Sequence, residues 1–197
     1  MTTYNPNIHN RRSIRLKGYD YSQPGLYFIT MCTKDRQHLF GHVERGKMIY
    51  NAFGEIAYKE WTKTAEIRDN VDILEYVIMP NHMHGIVLIK GDMIVESVGP
   101  VGPVGAYGHT PPLGNTPPQQ SNKLSQFKSP SKTIGAIVRG YKGAVTKQIN
   151  ILRQMPGVPV WQRNYYEHII RNERAYQRIA EYILNNPLKW QEDKFHV

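Results

Sequence analysis

The residues best suited to chemistry are two histidines separated by one residue in the segment PNHMHGIVLI, residues 80–89. The apolar run that follows predicts a buried β-strand, and because side chains alternate along a strand, His82 and His84 point to the same face. The preceding Pro80-Asn81 pair marks a turn, which places the histidines near an edge of the sheet. Two imidazoles on one face of a strand can share a divalent metal ion or polarise one phosphate.

A second candidate group lies on the last predicted helix, Glu173–Asn186. Tyr182 and Asn186 are four residues apart, so they share one face of that helix. The tyrosine could present its phenolic oxygen to a metal site on the sheet, and Asn186 could add an amide oxygen. In the alternative interpretation Tyr182 only borders the core and Asn186 caps the helix before Pro187. Spacing alone favours this packing role.

Length and composition limit the class of protein. The 197 residues fit one domain, residues 1–197, with a sizeable core, and a net charge of +9 favours a polyanionic partner such as nucleic acid. The sequence has no apolar run long enough to span a membrane and no signal peptide, so we expect no membrane partner. The lone Cys32 excludes an internal disulfide framework and a cysteine-rich zinc site. These features are typical of a cytoplasmic protein.

Hydrophobic patterning predicts a mixed set of elements. Strands are predicted at Leu26–Thr33, Val71–Met79 and Met83–Lys90, with one strand or a strand pair at Val160–Arg171. Helices are predicted from about 47 to 68 and at Lys132–Leu152, before the last helix, for which Asn172 is a good N-cap. This order is typical of an α+β fold, a ferredoxin-like antiparallel sheet with packed helices. The fold alone does not define an activity.

Residues 91–131 differ in composition from the rest of the chain. They hold seven of the thirteen prolines and a VGPVGPVGA quasi-repeat, with little that could form a core. This composition predicts a long, flexible Pro/Gly-rich insertion, and a passive spacer is the favoured interpretation over a partner-binding segment.

Two segments resemble a known family. YVIMPNHMHGIVLI resembles the HUH motif of single-tyrosine HUH transposases. VWQRNYYEHIIRNERAYQRIAEYILNNP resembles the C-terminal signature of their REP-associated branch, which is similar to the insertion-sequence-200-like enzymes. The N-terminal RRSIRLKGYDYSQPGLYFITMCT also fits that branch. The resemblance covers most of the chain except the insertion, and it implies a fold of the HUH endonuclease type.

The resemblance implies a role for each candidate residue. His82 and His84 would bind the metal, Mg²⁺ or Mn²⁺, and Tyr182 would be the nucleophile. Asn186 occupies the place of a third ligand, where insertion-sequence relatives have the longer glutamine. Attack by the tyrosine would leave a 5′-phosphotyrosine and a free 3′-OH, so DNA could be cleaved and rejoined. The expected partner is single-stranded DNA with repeat hairpins, bound by a monomer or a homodimer on the bacterial nucleoid.

Other residues compete for these roles or extend them. Tyr141 is a competing nucleophile because cations surround it in the sequence, whereas Tyr165 and Tyr166 are predicted to pack. Basic residues spread along the chain are candidates for phosphate contacts that raise affinity without reading sequence. They are Arg11, Arg12, Arg15, Lys17, Arg139, Lys142, Lys147, Arg163, Arg171 and Arg174.

Two other classes of function stay open. One is a non-catalytic module that binds single-stranded nucleic acid through a basic surface. The other is a hydrolase whose histidines bind zinc and activate water. The sequence has no clear third His, Glu or Cys ligand nearby, which argues against this class. The three classes predict different products, namely a covalent DNA–protein adduct, no product, or free 5′-phosphate ends.

Overall fold

A computed structural model of the chain describes residues 19–91 and 132–196. The predicted insertion, apart from its first residue, and the predicted DNA contacts Arg11, Arg12, Arg15 and Lys17 lie outside these ranges. In chain order the elements are β1 (Gly25–Cys32), β2 (Gly41–Glu44), β3 (Lys47–Tyr50), α1 (Ala52–Glu66), β4 (Val71–Met79), β5 (His82–Ile89), α2 (Ile134–Leu152), β6 (Tyr166–Ile170) and α3 (Glu173–Asn185).

A four-stranded antiparallel sheet in the order β4-β5-β1-β6 is the centre of the fold. The predicted pair of strands around Pro80-Asn81 forms a hairpin with that two-residue connection. Its register pairs Met79 with His82. The two histidines are therefore the first and third residues of β5, next to the turn. The predicted α+β class is therefore correct.

The two faces of the sheet carry different helices. On one face, Ile29 and Met31 of β1 belong to the main core with residues of α1 and α2. On the other face, Phe28 and Ile86 pack with Ile183 of α3 in a smaller cluster. Because the two clusters lie on opposite sides of β1, anything on the α3 face is separated from α1 and α2 by the sheet.

Gly85 allows α1 to approach β5 beside the second histidine. A Cβ at this position would lie 2.9 Å from Cζ2 of the fully buried Trp61 ring. The glycine at position 85 therefore allows close packing on the face of the sheet opposite the histidines.

The structure corrects one helix boundary. The helix predicted from about 47 begins at Ala52, because the side chain of Asn51 accepts hydrogen bonds from the N–H groups of Phe53 and Gly54. Residues 47–50 instead form β3, which pairs with β2 through a tight turn at Arg45 (φ 49°) and Gly46 (φ 72°). Positive φ at both positions is the conformation that a short hairpin needs.

The region predicted as one strand or a strand pair forms a single five-residue strand, β6, at the sheet edge. Upstream of it, Trp161 makes only an isolated bridge to Thr33. Within the described ranges, none of the helices has the length and apolar character needed to cross a membrane.

Candidate active site

The two histidines lie side by side on the face of the sheet that α3 covers. His84 pairs with Thr30 of β1 and with Val77 of β4, and His82 pairs with Cys32 one step nearer the turn. Both histidines are almost completely buried, and their ring centroids are 4.6 Å apart. The alternation of the strand thus brings the two imidazoles together.

Asn81 fixes which nitrogen of His82 carries the proton. Its Oδ1 lies 2.9 Å from Nδ1 of His82, and its Nδ2 donates a 2.7 Å hydrogen bond to the carbonyl oxygen of Phe195. Since an amide oxygen only accepts, Nδ1 of His82 is the donor and Nε2 keeps its lone pair. That Nε2 atom is buried and has no hydrogen-bond partner among the described residues. It is therefore available to a metal ion.

His84 links the sheet to α3. Its Nδ1 lies 2.7 Å from Oγ1 of Thr30, and its Nε2 lies 3.1 Å from the hydroxyl oxygen of Tyr182. If Nδ1 donates to Thr30, Nε2 presents a lone pair to the phenolic hydroxyl. Tyr182 is 40% exposed, so part of its side chain faces solvent.

The amphipathic character of α3 positions Tyr182 and Asn186. Oδ1 of Asn172 accepts a 2.8 Å hydrogen bond from the N–H of Ala175, which caps the start of the helix. Ile183 is fully buried against the sheet and sets the rotation of the helix. Tyr182 and Asn186 flank Ile183 on the helix surface, so this rotation directs both side chains toward the histidines.

Asn186 is both the C-cap of α3 and a member of the site, so the two interpretations of this residue are compatible. Its side chain is buried, and its Nδ2 donates a 2.7 Å hydrogen bond to Oδ2 of Asp193. This bond orients the amide and leaves Oδ1 buried, with no hydrogen-bond partner in the described part of the chain.

A carboxylate that the sequence analysis missed completes the site. After α3 the chain forms a short 3-10 helix, Trp190–Glu192, and then passes the start of β5. Asp193 accepts a hydrogen bond from Asn186, and its Oδ2 lies 3.5 Å from the hydroxyl of Tyr182. One donor atom from each of His82, His84 and Asp193 lies within 4.8 Å of the other two. The sequence indicates this ligand only by an acidic residue shortly after α3, the helix that carries Tyr182.

Burial sets the protonation of these groups. It lowers the pKa of His82 to about 4 against the opposing influence of Asp193, and it lowers the pKa of His84 well below its usual value. Burial, with the Asp193 carboxylate as a further cause, raises the pKa of Tyr182 to about 12. At neutral pH the site therefore holds two neutral imidazoles and a protonated phenol.

This donor set fits a divalent cation. Nε2 of His82 and Oδ1 of Asn186 are buried acceptors without hydrogen-bond partners in the described ranges. Each buried acceptor left unpaired lowers the stability of a folded protein by about 1–3 kcal/mol. A bound cation would satisfy both atoms, and the Asp193 carboxylate would balance part of its charge. Imidazole, amide and carboxylate ligands together suit a first-row divalent ion.

Two cavities open beside Tyr182. A cavity of about 330 Å³ lies over the end of α3 and is lined by Arg178, Lys189 and Asp193. A cavity of about 440 Å³ lies toward β6, where Arg36 and Lys194 supply positive charge. Neither Arg36 nor Lys194 was predicted as a DNA contact. Tyr182 therefore lines both cavities, and each cavity has basic side chains in its lining.

The structure separates the predicted basic residues into groups. Arg139, Lys142 and Lys147 belong to α2, on the far side of the sheet from α3. Lys142 already donates hydrogen bonds of 2.9 and 2.8 Å to the carbonyl oxygens of Gln162 and Asn164. Arg163, Arg171 and Arg174 are exposed, and Arg171 lines a cavity between β6 and the start of α3.

Of the competing tyrosines, Tyr141 is buried in the main core. Its hydroxyl donates a 3.1 Å hydrogen bond to the carbonyl oxygen of Ala57, on the opposite face of the sheet from the histidines. Tyr165 packs against the same core, as predicted. Tyr166 does not fit the packing role, because it is 45% exposed and lines the cavity beside Tyr182.

Comparison with solved structures identifies the fold. A REP-associated tyrosine transposase, solved bound to a REP hairpin, matches over 92% of this chain and 77% of its own, with a TM-score of 0.53 and 19% identity. A transposase candidate from Deinococcus radiodurans R1, solved by crystallography, matches over 88% of this chain and 97% of its own, with a TM-score of 0.38 and 14% identity. The protein therefore has the fold of a REP-associated tyrosine transposase, as the sequence resemblance implied.

A sequence relative defines the family more closely. An uncharacterized protein of Haemophilus influenzae strain Rd is 43% identical over 197 residues, which is 100% of this chain and 98% of the relative. The chain belongs to the same family as that protein. No protein-family model matches the sequence.

Proposed function

We propose that this protein is a metal-dependent transposase or endonuclease that cleaves and rejoins single-stranded DNA at repeat hairpins, with Tyr182 as the nucleophile. The observation that carries the proposal is the 3.1 Å approach of the Tyr182 hydroxyl to Nε2 of His84, beside Asp193 and two buried unpaired acceptors. The solved REP-associated transposase that shares the fold supports it, and the hairpin bound to that protein suggests the form of the DNA.

The chemical step conserves the phosphodiester. The phenolic oxygen of Tyr182 attacks the phosphorus, an O–P bond to the tyrosine forms, and the bond from phosphorus to the 3′ oxygen breaks. The displaced oxygen leaves with the electron pair and takes up a proton as a 3′-OH, while the downstream strand keeps a 5′-phosphotyrosine. Because one phosphate ester replaces another, a 3′-OH can reverse the step without an external energy source.

Two acceptors lie within reach of the phenolic proton. Nε2 of His84 and Oδ2 of Asp193 are 3.1 and 3.5 Å from the hydroxyl oxygen. An imidazole nitrogen has a single lone pair, which a bound cation would occupy, whereas a carboxylate that coordinates a cation keeps further lone pairs, so with a cation bound the proton would pass to Asp193. Acceptance by a positioned carboxylate is general-base catalysis.

His82, His84, Asn186 and Asp193 would hold the cation, which we propose is Mg²⁺ or Mn²⁺. Such an ion supplies Lewis-acid activation and orientation of the scissile phosphate. Arg36 and Lys194, beside the larger cavity, hold the neighbouring phosphates by charge. The net charge of +9 favours the approach of DNA as a whole.

The test compares wild type with Tyr182→Phe on denaturing gels. The substrates are single-stranded repeat hairpins from the host genome, labelled at the 5′ or the 3′ end and incubated with Mg²⁺, Mn²⁺ or EDTA. We expect a metal-dependent covalent adduct that carries only the 3′ label, and no adduct in the phenylalanine variant. Persistence of the adduct in Tyr182→Phe would contradict the assignment of the nucleophile.

A matched control uses Tyr58→Phe. Tyr58 is 39% exposed, close to the 40% of Tyr182, but it lies on α1 across the sheet. The control should form the adduct at the wild-type rate. Binding without cleavage in every metal would support the non-catalytic module instead.

A metal-dependent hydrolase is the second candidate, and one observation favours it. Asp193 supplies the third ligand that the sequence alone did not provide for a site with two histidines. This alternative predicts free 5′-phosphate ends and no covalent adduct. It also predicts that Tyr182→Phe retains cleavage, so the same gels separate the two mechanisms.

A further inference from the structure

We infer that Tyr166 is a stacking platform for an unpaired base next to the scissile phosphate. The inference rests on the proposed function, because it assigns the path of the single strand beside Tyr182. It concerns recognition and not the chemical step, so it can be tested by binding alone.

The position of Tyr166 in the sheet is the first observation. Tyr166 of β6 pairs with Thr30, and Thr30 pairs on its other side with His84. Paired residues direct their side chains to the same face, so Tyr166 is in one row with the histidine of the site. Two strand spacings separate Tyr166 from His84, about 10 Å. The ring therefore lies on the same face of the sheet as a phosphate held at Tyr182.

The surroundings of the ring are the second observation. Tyr166 is 45% exposed, and its ring makes an edge contact with Phe28, at 6.2 Å between centroids and 69° between planes. One side of the ring borders the 440 Å³ cavity that also contains Phe195. An exposed aromatic side chain on an edge strand, next to a cavity with apolar walls, is suited to stack on a base.

The third observation is that three neighbouring cavities share Tyr182 and Tyr166 as lining residues, and we take their succession as the path of the strand. Tyr182 borders both the 330 Å³ cavity and the 440 Å³ cavity. Tyr166 borders the 440 Å³ cavity and a third of about 400 Å³, which contains Arg171 and His168. A strand crossing the nucleophile therefore meets Tyr166 next.

Charge in the 440 Å³ cavity favours nucleic acid as the occupant. Arg36 and Lys194 line this cavity without an acidic residue beside them, whereas the cavities on either side combine the basic Lys189 or Arg171 with acidic residues. Guanidinium and ammonium groups at intervals, with an aromatic ring between them, form the pattern that binds a phosphate backbone and stacks its bases. Because every base has an aromatic face, Tyr166 would contribute affinity with little sequence preference.

The test measures binding in the Tyr182→Phe background, which prevents cleavage. The probe is a fluorescein-labelled repeat hairpin with unpaired thymidine tails, followed by fluorescence anisotropy. We expect Tyr166→Ala to weaken binding by roughly 5- to 100-fold and Tyr166→Phe to bind like the parent, because stacking depends on the ring. Tyr58→Ala, which removes a similarly exposed tyrosine across the sheet, should have no effect.

An abasic series separates stacking from a structural role. Each unpaired nucleotide in turn is replaced by an abasic residue. One position should weaken binding in the parent and cause no further loss in Tyr166→Ala, since both changes remove the same contact. Equal effects of abasic residues in the two proteins, or equal affinities of all Tyr166 variants, would overturn the inference. A loss in Tyr166→Phe would also overturn it, because the hydroxyl would then be the contact.

The two proposals fail in different ways. A wild-type adduct together with unchanged binding by Tyr166→Ala would overturn the stacking platform and leave the nucleophile. Binding that depends on Tyr166, without any adduct from the wild type, would overturn the proposed chemistry and leave the platform. Absence of both binding and adduct would overturn both.

Discussion

Asn186 donates a 2.7 Å hydrogen bond from Nδ2 to Oδ2 of Asp193, and this contact decides which end of the amide faces the histidines. With Nδ2 engaged, Oδ1 is left as a buried acceptor close to the His82 ring. The Asn186 side chain raises the pKa of His82, which reflects this proximity. The carboxylate therefore has two functions in the site. It offers a ligand atom of its own, and it orients a second one.

Replacement of this carboxylate tests both functions. We expect Asp193→Asn to lower the affinity for Mn²⁺, measured by calorimetry, by on the order of 10- to 100-fold, because a charged ligand and an orienting contact are lost together. Glu192→Gln is the matched control, since Glu192 is the exposed neighbouring acid in the same cavity. Equal affinities of the two variants would show that Asp193 does not bind the ion.

Asn81 should have a measurable effect on stability. It is fully buried, and Asn81→Ala would leave Nδ1–H of His82 and the carbonyl oxygen of Phe195 unpaired. Each unpaired group costs about 1–3 kcal/mol, so the free energy of unfolding in urea should fall by at least that amount. Asn164→Ala, at an exposed position, should leave the unfolding free energy unchanged. A stable Asn81→Ala variant would show that the observed network is dispensable.

The cap of α3 can be tested separately from the chemistry. Oδ1 of Asn172 accepts from the N–H of Ala175, and removing it in Asn172→Ala should cost about 0.5–2 kcal/mol of stability. Asn172→Ser keeps an oxygen acceptor at the cap and should recover most of the loss. Thermal unfolding of the three proteins gives the comparison, and identical behaviour of the alanine and serine variants would exclude a capping role.

Lys142 predicts a pH dependence of stability. Burial lowers the pKa of this ammonium from 10.5 to about 8 in the folded protein. Between these two values the unfolded chain binds more protons than the folded chain, so the contribution of Lys142 to stability rises with pH. We expect the unfolding free energy of wild type, relative to Lys142→Met, to increase from pH 7.5 to pH 10 in urea titrations.

The comparison with Lys142→Met removes the influence of other titrating groups. Cys32 is the important one, because burial raises the pKa of its thiol and gives it the opposite pH dependence. Because the charges of Cys32 and Lys142 influence each other, both proteins also carry Cys32→Ala in this comparison. A difference between the two proteins that is constant with pH would contradict a lowered pKa of Lys142.

The central strands and the tyrosine helix were predictable because their signals are local. The run after His82 is apolar, the Pro80-Asn81 turn precedes it, and Asn172 and Pro187 bracket the helix. The predicted strand Val71–Met79 matches β4 at both ends. These patterns depend on residues within one turn or one strand, which a single sequence contains.

Other parts depend on contacts between distant residues and have no such signal. Asn81 contacts Phe195 across 114 positions, and Asp193 reaches the site only because the chain turns back after α3. The hairpin at residues 41–50 was missed because its strands are four residues each and carry little periodicity. The exposure of Tyr166 follows from the position of β6 at the sheet edge, which strand patterning cannot reveal.

The ends of the interval between Gly91 and Lys132 lie far from the chemistry. Gly91 is next to Pro24, and the N–H of Ile134 donates a hydrogen bond to the carbonyl oxygen of Tyr21. Pro24 and Tyr21 both precede the start of β1. The histidines are at the other end of β5, about 20 Å away for a strand of this length. Both ends of this interval are therefore held at the opposite end of the sheet from the candidate site. The same junction is a natural point at which a second domain could be grafted onto this fold.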